Sequence, residues 1–232
     1  MKFWLSILLT ITIAFSDSSF DNFSEFEDEF NKKTVFDPLG GYNRVMTNIN
    51  DAFYDYLMYP IAVGYDYVMP DPIQGAFKDF FYNLLYPMRL INNILQGKFQ
   101  NSLDETKRFL INSTIGFAGF SDTATNHFNI SRHDEDFGQT LGHWGVGSGF
   151  HIVWPILGPS NIRDSFGLVG DYFTHPVSYI DDKWTSMGVK AVEKVNNESI
   201  DFQYKKIKKN AVDLYPLLRD GYEQRRNYLI KE

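Results

Sequence analysis

The sequence contains no cysteine. That excludes disulfides, zinc-thiolate sites, thiol catalysis and any lipid attached through a cysteine, while leaving the redox compartment open. Positive charge is also in deficit: 22 Lys and Arg stand against 29 Asp and Glu, a formal net charge of −7. Such a chain is a poor general binder of nucleic acid, because that affinity comes from Lys and Arg neutralising phosphates. Two-residue apolar alternation is scarce, so a sheet-based fold is not expected. No His-Glu-x-x-His occurs, and no glycine fingerprint sits in a βαβ setting. Nor is there a spanning apolar run at the start. The uncharged stretch Phe3–Phe15 has 13 residues, short of the roughly 20 that a helix needs to cross a bilayer.

That stretch follows Met1-Lys2 and leads into Ser16-Asp17-Ser18-Ser19. A short positive start, an apolar stretch and a small-residue exit make the pattern of a secretory signal, here residues 1–16, with a buried N-terminal helix as the alternative. Residues 17–35 are acidic and aromatic, with Phe20, Phe23, Phe26 and Phe30 among Asp and Glu. Their spacing suits either a short amphipathic helix or a mobile tail. The remainder, 36–232, is enough for one globular domain with a sizeable core. Aromatic residues make up 17% of the chain, which fits either an aromatic core or a surface meeting lipid at headgroup level.

From Asp37 onward the pattern is mainly α, with helices broken by Pro and Gly. Tyr42, Val45, Met46, Ile49, Phe53, Tyr56 and Leu57 recur at three- and four-residue steps, forming an apolar helical stripe. Asp71-Pro72 reads as a helix start, followed by a stripe of Phe77, Phe80, Phe81, Leu84 and Leu85. Phe77, Phe80 and Phe81 are the expected membrane contacts. Pro87 opens a further helix ending near Gly97, and the C-terminal third carries long helices. One segment departs from this: residues 137–162, 26 in all, carry no formal charge with His143 and His151 neutral. Its many glycines, with Pro155 and Pro159, disfavour a continuous helix. Either it is a channel wall or re-entrant hairpin, since irregular backbone at membrane depth must line a cavity or be buried in protein, or it is a tightly packed loop.

Chemistry is thinly signalled. Four of the five histidines lie in 127–151 beside Asp134, Glu135 and Asp136, which makes a metal site or an acid–base pair conceivable. His133-Asp134-Glu135 matches the His-x-Glu of zinc deaminases, but the cysteine ligands are missing. Asp136-Phe137-Gly138 spells the kinase magnesium tripeptide without the rest of that signature. No catalytic residue, metal site or cofactor is assigned.

Several segments resemble the VacJ/MlaA family, in family order. They are Asp37-Pro38-Leu39-x-Gly41-Tyr42-Asn43-Arg44, Asn48-x-Asn50-Asp51, Val68-x-Pro70-Asp71-Pro72-Ile73 and Asn92-x-Ile94-Leu95-Gln96-Gly97-Lys98-Phe99. Arg108-Phe109-Leu110-Ile111-Asn112-Ser113-Thr114-Ile115-Gly116 follows, then the most specific block, Glu135 to Leu141, Gly142-x-Trp144 and Gly145 to Gly149. Pro155-x-Leu157-Gly158-Pro159-Ser160-x-Ile162-Arg163-Asp164 and Arg219-Asp220-x-Tyr222-x-Gln224-Arg225-Arg226-x-Tyr228-Leu229 complete the match, which covers about residues 36–231.

The resemblance implies a ring-like helical domain in the inner leaflet of a bacterial outer membrane, around a glycine-rich channel. Phospholipid would pass from the outer leaflet to a periplasmic carrier protein, beside a trimeric porin, with no nucleic acid involved. The channel candidates are Phe137, Gly138, Gln139, Thr140, Leu141, Gly142, Trp144, Gly145, Val146, Gly147, Ser148, Gly149, Pro155 and Leu157. Gln139, Thr140 and Ser148 are the expected headgroup contacts, and the glycines are expected to permit close backbone approach. Two departures stand out: family members typically carry a lipidated cysteine after the signal, and Gly40 replaces a usual acidic residue. The first leaves an unacylated protein, or a soluble periplasmic binding or scaffold protein of the same fold. A hydrolase using His133, Glu135 or His143 is the remaining alternative. Export predicts a mature chain cleaved close to Ser16; N-terminal sequencing that finds Met1 retained in the cytoplasm would contradict it.

Overall fold

Prolines and short polar side chains set most of the helix starts. The computed structural model describes residues 36–232, so the expected signal and acidic tail lie outside the described residues. Helix α1 (Gly40–Phe53) runs through one π-helical turn (Tyr54–Met58) into α2 (Tyr59–Val68). Pro72 occupies the first turn of α3 (Asp71–Leu84), and Pro87 that of α4 (Tyr86–Leu95), where a missing N–H breaks no intrahelical bond. Gly97, at a φ of 75°, separates α4 from α5 (Phe99–Thr114). Asp122 caps α6 (Thr123–Phe128), and Asp136 caps α7 (Phe137–His143) by accepting from the Gln139 amide at 2.7 Å.

After α7 the chain forms two short antiparallel strands, β1 (His151–Trp154) and β2 (Gly158–Asn161), pairing Trp154 with Gly158 and His151 with Asn161. The three-residue loop between them turns through Ile156 and Gly158, both at positive φ. Asn161 then caps α8 (Ile162–Thr174), accepting from the Asp164 amide at 2.8 Å. A 3-10 turn (Pro176–Tyr179) precedes α9 (Lys183–Asp201), α10 (Gln203–Lys209) and α11 (Leu214–Lys231). The mainly helical expectation holds. The uncharged segment is not one irregular stretch: the Asp136 cap and the hairpin divide it into a helix, a turn and a strand pair.

Residues Pro38–Glu232 form one compact unit in which α7 packs on α8, α4 on α5, and α9 on both α2 and α3. Its interior is polar. Among the described residues seven apolar side chains are buried, against 25 polar or charged ones, while 39 large apolar side chains are exposed. Buried polar groups are tolerable only when paired, and here they tie helices together. Asn43 of α1 donates to the His151 carbonyl at 3.0 Å and accepts from the Val153 amide at 2.9 Å, fastening α1 to β1. Asn196 of α9 donates to the Gln74 carbonyl of α3 at 3.0 Å, and Ser199 to the Gln74 side chain at 2.9 Å.

The densest network joins α3, α4, α5 and the α6 cap. Glu105 takes Arg89 at 2.7 Å, and Asp122 takes Arg108 at 2.8 Å and Arg132 at 2.6 Å. Arg132 also reaches Asp79 at 2.8 Å. The Tyr82 ring lies under the guanidinium groups of Arg89, at 3.6 Å, and Arg132, at 4.3 Å. Burial alone would raise the Asp122 carboxyl, but hydrogen bonds from Arg132, Arg108 and Thr125 hold it well below the usual carboxylate range.

Phe81 needs correction as a membrane contact: it is 5% exposed and belongs to the small apolar interior. Phe77 and Phe80 are half-buried, with the Phe80 ring stacked on Phe120 at 4.7 Å and Phe77 edge-on to it at 5.7 Å. Removing the Asp122 carboxylate takes the 2.8 Å partner from buried Arg108 and leaves it only Glu105, at 3.5 Å, which Arg89 already engages. Asp122→Ala is therefore expected to lower stability by about 3–5 kcal/mol, read as a drop in urea midpoint; a midpoint unchanged from wild type would show that the network contributes little.

Candidate functional site

The candidate segment is positioned by charge. Arg226 of α11 reaches the Asp136 carboxylate at 2.5 and 2.8 Å and Asp164 Oδ1 at 3.0 Å. It thereby ties the cap of α7 to the first turn of α8. Tyr222 donates to Asp164 at 2.8 Å, and Arg163 Nε to the same carboxylate at 2.9 Å. Burial would raise Asp164, but Arg163, Arg226 and Tyr222 together keep its carboxyl below the ordinary range.

Helices α7 and α8 cross in direct backbone contact. A Cβ on Gly167 would come within 2.6 Å of the Gly138 amide nitrogen, and one on Gly170 would meet the Phe137 ring. Glycine is required at this crossing because any side chain would push the two helices apart. On the outer side of the crossing lies a concavity of about 730 Å³, walled by Phe137, Leu141 and Val146 with Gly147, and by Ile162, Phe166, Val169 and Phe173 of α8. Arg163 is its one charged lining residue, and Gly170 completes it. Phe166 is 69% exposed and Phe173 65%, so the concavity is walled by rings that water does not favour. A surface of this kind can take up alkyl chains.

Of the expected channel residues, the structure brings four to this concavity: Phe137, Leu141, Val146 and Gly147. Gln139 and Thr140, expected to meet a headgroup, are buried instead. The Thr140 hydroxyl lies 2.8 Å from Asn92 Oδ1 and accepts from Gln96 at 3.1 Å, and the Gln139 side chain donates to the Asp134 carbonyl at 3.4 Å. They tie α7 to its surroundings because a buried polar group must find a fixed partner. Ser148 contacts the neighbouring Gly149 carbonyl at 3.4 Å. Trp144 is exposed, its indole donating to the Leu95 carbonyl at 3.1 Å. Pro155 stands in the hairpin loop, and Leu157 lines a smaller cavity of about 240 Å³ beside Trp154 and Tyr222.

The glycines divide in the same way. Side chains at Gly138, Gly142 and Gly149 would strike Asp164, Ile230 and Ile162 respectively, as close packing requires. Gly145 and Gly147 face open space, so close approach does not explain them; Gly145 instead holds a φ of 86°. The α8 wall was missed in the sequence although Ile162, Phe166, Val169 and Phe173 follow a helical stripe, which the charge at Arg163 interrupts.

The histidines are dispersed. His127 and His143 are exposed, His133 Nε2 is 4.0 Å from Asp104, and His151 Nδ1 is 3.3 Å from Glu223. Among the described residues no three His, Asp or Glu converge as metal ligands would.

Behind α7, Asp171 of α8 accepts from the Phe137 amide at 2.9 Å. Burial pushes its carboxyl up to about 6; the Phe137 amide lowers it and the Asp136 charge raises it further. A carboxyl raised on folding binds more protons in the native state between its unfolded and folded values. Stability therefore falls as pH rises from about 4 to about 6. Asp171→Asn is expected to flatten that slope and to raise stability at neutral pH by on the order of 2 kcal/mol. Urea midpoints across this pH range are the measurement, and an unchanged slope would contradict it.

Over residues 35–229 the sequence matches the MlaA lipoprotein family. The intermembrane phospholipid transport system lipoprotein MlaA of Escherichia coli K12 is 30% identical over 201 residues, 83% of this chain and 78% of that protein. An uncharacterised protein of Rickettsia felis is 27% identical over 223 residues, 95% of this chain and 88% of its own length. A solved structure described as the structural basis for maintenance of bacterial outer membrane lipid asymmetry aligns with a TM-score of 0.74 at 29% identity. That alignment covers 84% of this chain and 98% of the solved one. The relatives bear the name lipoprotein, so they lend no support to an unacylated chain, an expectation resting only on the missing cysteine. By sequence and by fold, the chain belongs to the MlaA family.

Proposed function

We propose that this protein is exported and moves phospholipid at the periplasmic face of the outer membrane, taking it from the outer leaflet and delivering it to a periplasmic carrier. The observation that carries this reading is the inverted burial, with charged and amide side chains inside and 39 large apolar ones exposed. Water alone does not favour such a surface, whereas a lipid surface does. The named roles of the relatives support the same reading. Burying a methylene is worth ~0.8 kcal/mol, so about thirty exposed in water would cost on the order of 20 kcal/mol. A carrier of lipid must cover those tails, and the α7–α8 concavity is the surface suited to it.

In this reading Phe137, Leu141, Val146 and Gly147, with the α8 stripe, form part of a lipid passage inside a ring of helices, and a trimeric porin stands beside it. Attachment without a cysteine rests on exposed apolar side chains, since interfacial binding scales with buried apolar area. Tyr67, Tyr56, Phe117 and Trp184 are the most exposed rings of that set, and Phe77 and Phe80 contribute only their exposed edges.

In a strain lacking the protein, outer-leaflet phospholipid is expected to rise, and the wild-type chain to restore it. Val146→Asp combined with Phe166→Asp places two charges in the concavity. At equal abundance this variant is expected to leave outer-leaflet phospholipid at the level of the deletion strain. Full restoration by the variant would remove the concavity from the pathway, and a deletion without effect would defeat the transport reading.

A further inference from the structure

Helix α10 is seated without an apolar face. None of its described side chains is buried, and Ile207 is 42% exposed. Four of its seven residues are lysines, and no Asp or Glu occurs from Phe202 to Val212. Its links to α1, the π-helical turn and α2 are directional. Lys208 Nζ stands 2.7 Å from Asp51 and 2.6 Å from Asp55. Tyr204 donates to Asp51 at 3.2 Å, and its ring lies 4.4 Å from that of Tyr54. Lys205 sits over the Tyr59 ring at 3.7 Å and meets its hydroxyl. The Lys208 side chain is 31% exposed, and those of Asp51 and Asp55 are 25% and 47%. Ion pairs this open to water are worth little singly and weaken as salt screens them.

Both ends of α10 are built to bend. Phe202 joins α9 to α10 at a φ of 48°, a left-handed conformation that bulky side chains rarely adopt. Beyond Lys209 the chain turns through a fully exposed Val212 before Asp213 caps α11, accepting from the Tyr215 amide at 3.2 Å. The neighbouring helices are fixed independently: α9 by Asn196 and Ser199 on Gln74, and α11 by Arg226 on Asp136 and Asp164. Helix α10 can therefore lift while they stay in place.

The segment under α10 is irregular as well. Tyr54 opens the π-helical turn, a feature that recurs at functional sites, and donates to Glu198 of α9 at 2.6 Å. Glu198, Ile200 and Gln203 line a cavity of about 920 Å³ between α3, α9 and α11, together with Phe81, Tyr82 and Arg225. Helix α10 thus begins at the wall of that cavity and is fastened on the π-helical turn.

We propose that α10 is a latch, hinged at Phe202, which narrows the mouth of this cavity and opens when ions displace Lys208 from Asp51 and Asp55. The latch works whatever the cavity takes up, so it stands apart from the transport reading. A helix of this length is marginal in water by itself, so α10 once lifted loses its amide protection.

Hydrogen exchange of the full-length protein is followed at low and at high NaCl concentration. Amides 206–211 are expected to exchange about fivefold faster at high salt, the worth of one or two exposed ion pairs, with α9 and α11 unchanged. Lys208→Gln is expected to show the fast rate already at low salt, whereas Lys208→Arg keeps the salt dependence. Access is read separately. The chain has no cysteine, so Asn197→Cys places a single thiol at an exposed position of the cavity lining. A small maleimide is expected to react alike in all conditions, while a bulky polymer-linked maleimide reacts several-fold faster at high salt and in the Lys208→Gln background. Exchange in α10 that is indifferent to salt and to Lys208→Gln overturns the latch. Exchange that rises equally in α9 and α11 overturns it too, since the whole unit then loosens together. Opening of α10 with no change in the bulky-reagent rate overturns its placement at the cavity mouth.

Discussion

Arg226 is the tie on which the candidate site depends. Its guanidinium spans the Asp136 carboxylate, which caps α7, and Asp164, which lies in the first turn of α8. One buried cation thus brings two helix starts together and neutralises both carboxylates, each of which also accepts a hydrogen bond from elsewhere in the chain. The glycine contact of Gly138 with Gly167 is possible only at that spacing. The apolar wall of α8 faces the apolar side of α7 because the polar sides of both are committed to Arg226. A buried ion pair is weak evidence for stability in itself, since an apolar replacement can be equally stable. Its use here is geometric: Asp136 can serve Arg226 only where it also caps α7.

The same logic extends over the unit. When apolar side chains face outward, the hydrophobic effect in water cannot specify how the helices pack, and directional bonds must do it. Asn43, Gln74, Asn196 and Asp122 each bond to a group distant in sequence, and each fixes one pair of elements. A slip of one residue would leave several buried amides or charges unpaired, a penalty of about 1–3 kcal/mol for each. Such an interior is intolerant of substitution but keeps its register whether water or lipid lies outside.

Element boundaries were legible because they rest on local chemistry. Pro72, Pro87 and Gly97 act within one turn, so the residues alone announce them, although Asp71, read as the cap of α3, stands inside the helix and makes no side-chain cap. The direction of each apolar stripe was legible too, but not its surroundings. Periodicity assigns Phe77, Phe80 and Phe81 to one side of α3 and is silent on whether that side meets protein or lipid, since both reward the same side chains. The hairpin was invisible for another reason: Gly158 and Pro159 are poor strand formers, and β1 is held partly by Asn43, 110 residues away from Val153. Gln139 and Thr140 looked available to a ligand because nothing local showed that Asn92, Gln96 and the Asp134 carbonyl would claim them.

Among the described residues no helix is long and apolar enough to cross a membrane. A helical unit of that kind reaches lipid with faces of its helices, and the two ends of a lipid then need different faces. The α7–α8 concavity has apolar walls and a single charged residue in its lining, whereas the cavity between α3, α9 and α11 mixes cations and carboxylates with Phe81, Tyr82 and Ile200. A phosphate in the first would lose its hydration with one arginine in return, so that surface suits the tails of a lipid and not its headgroup.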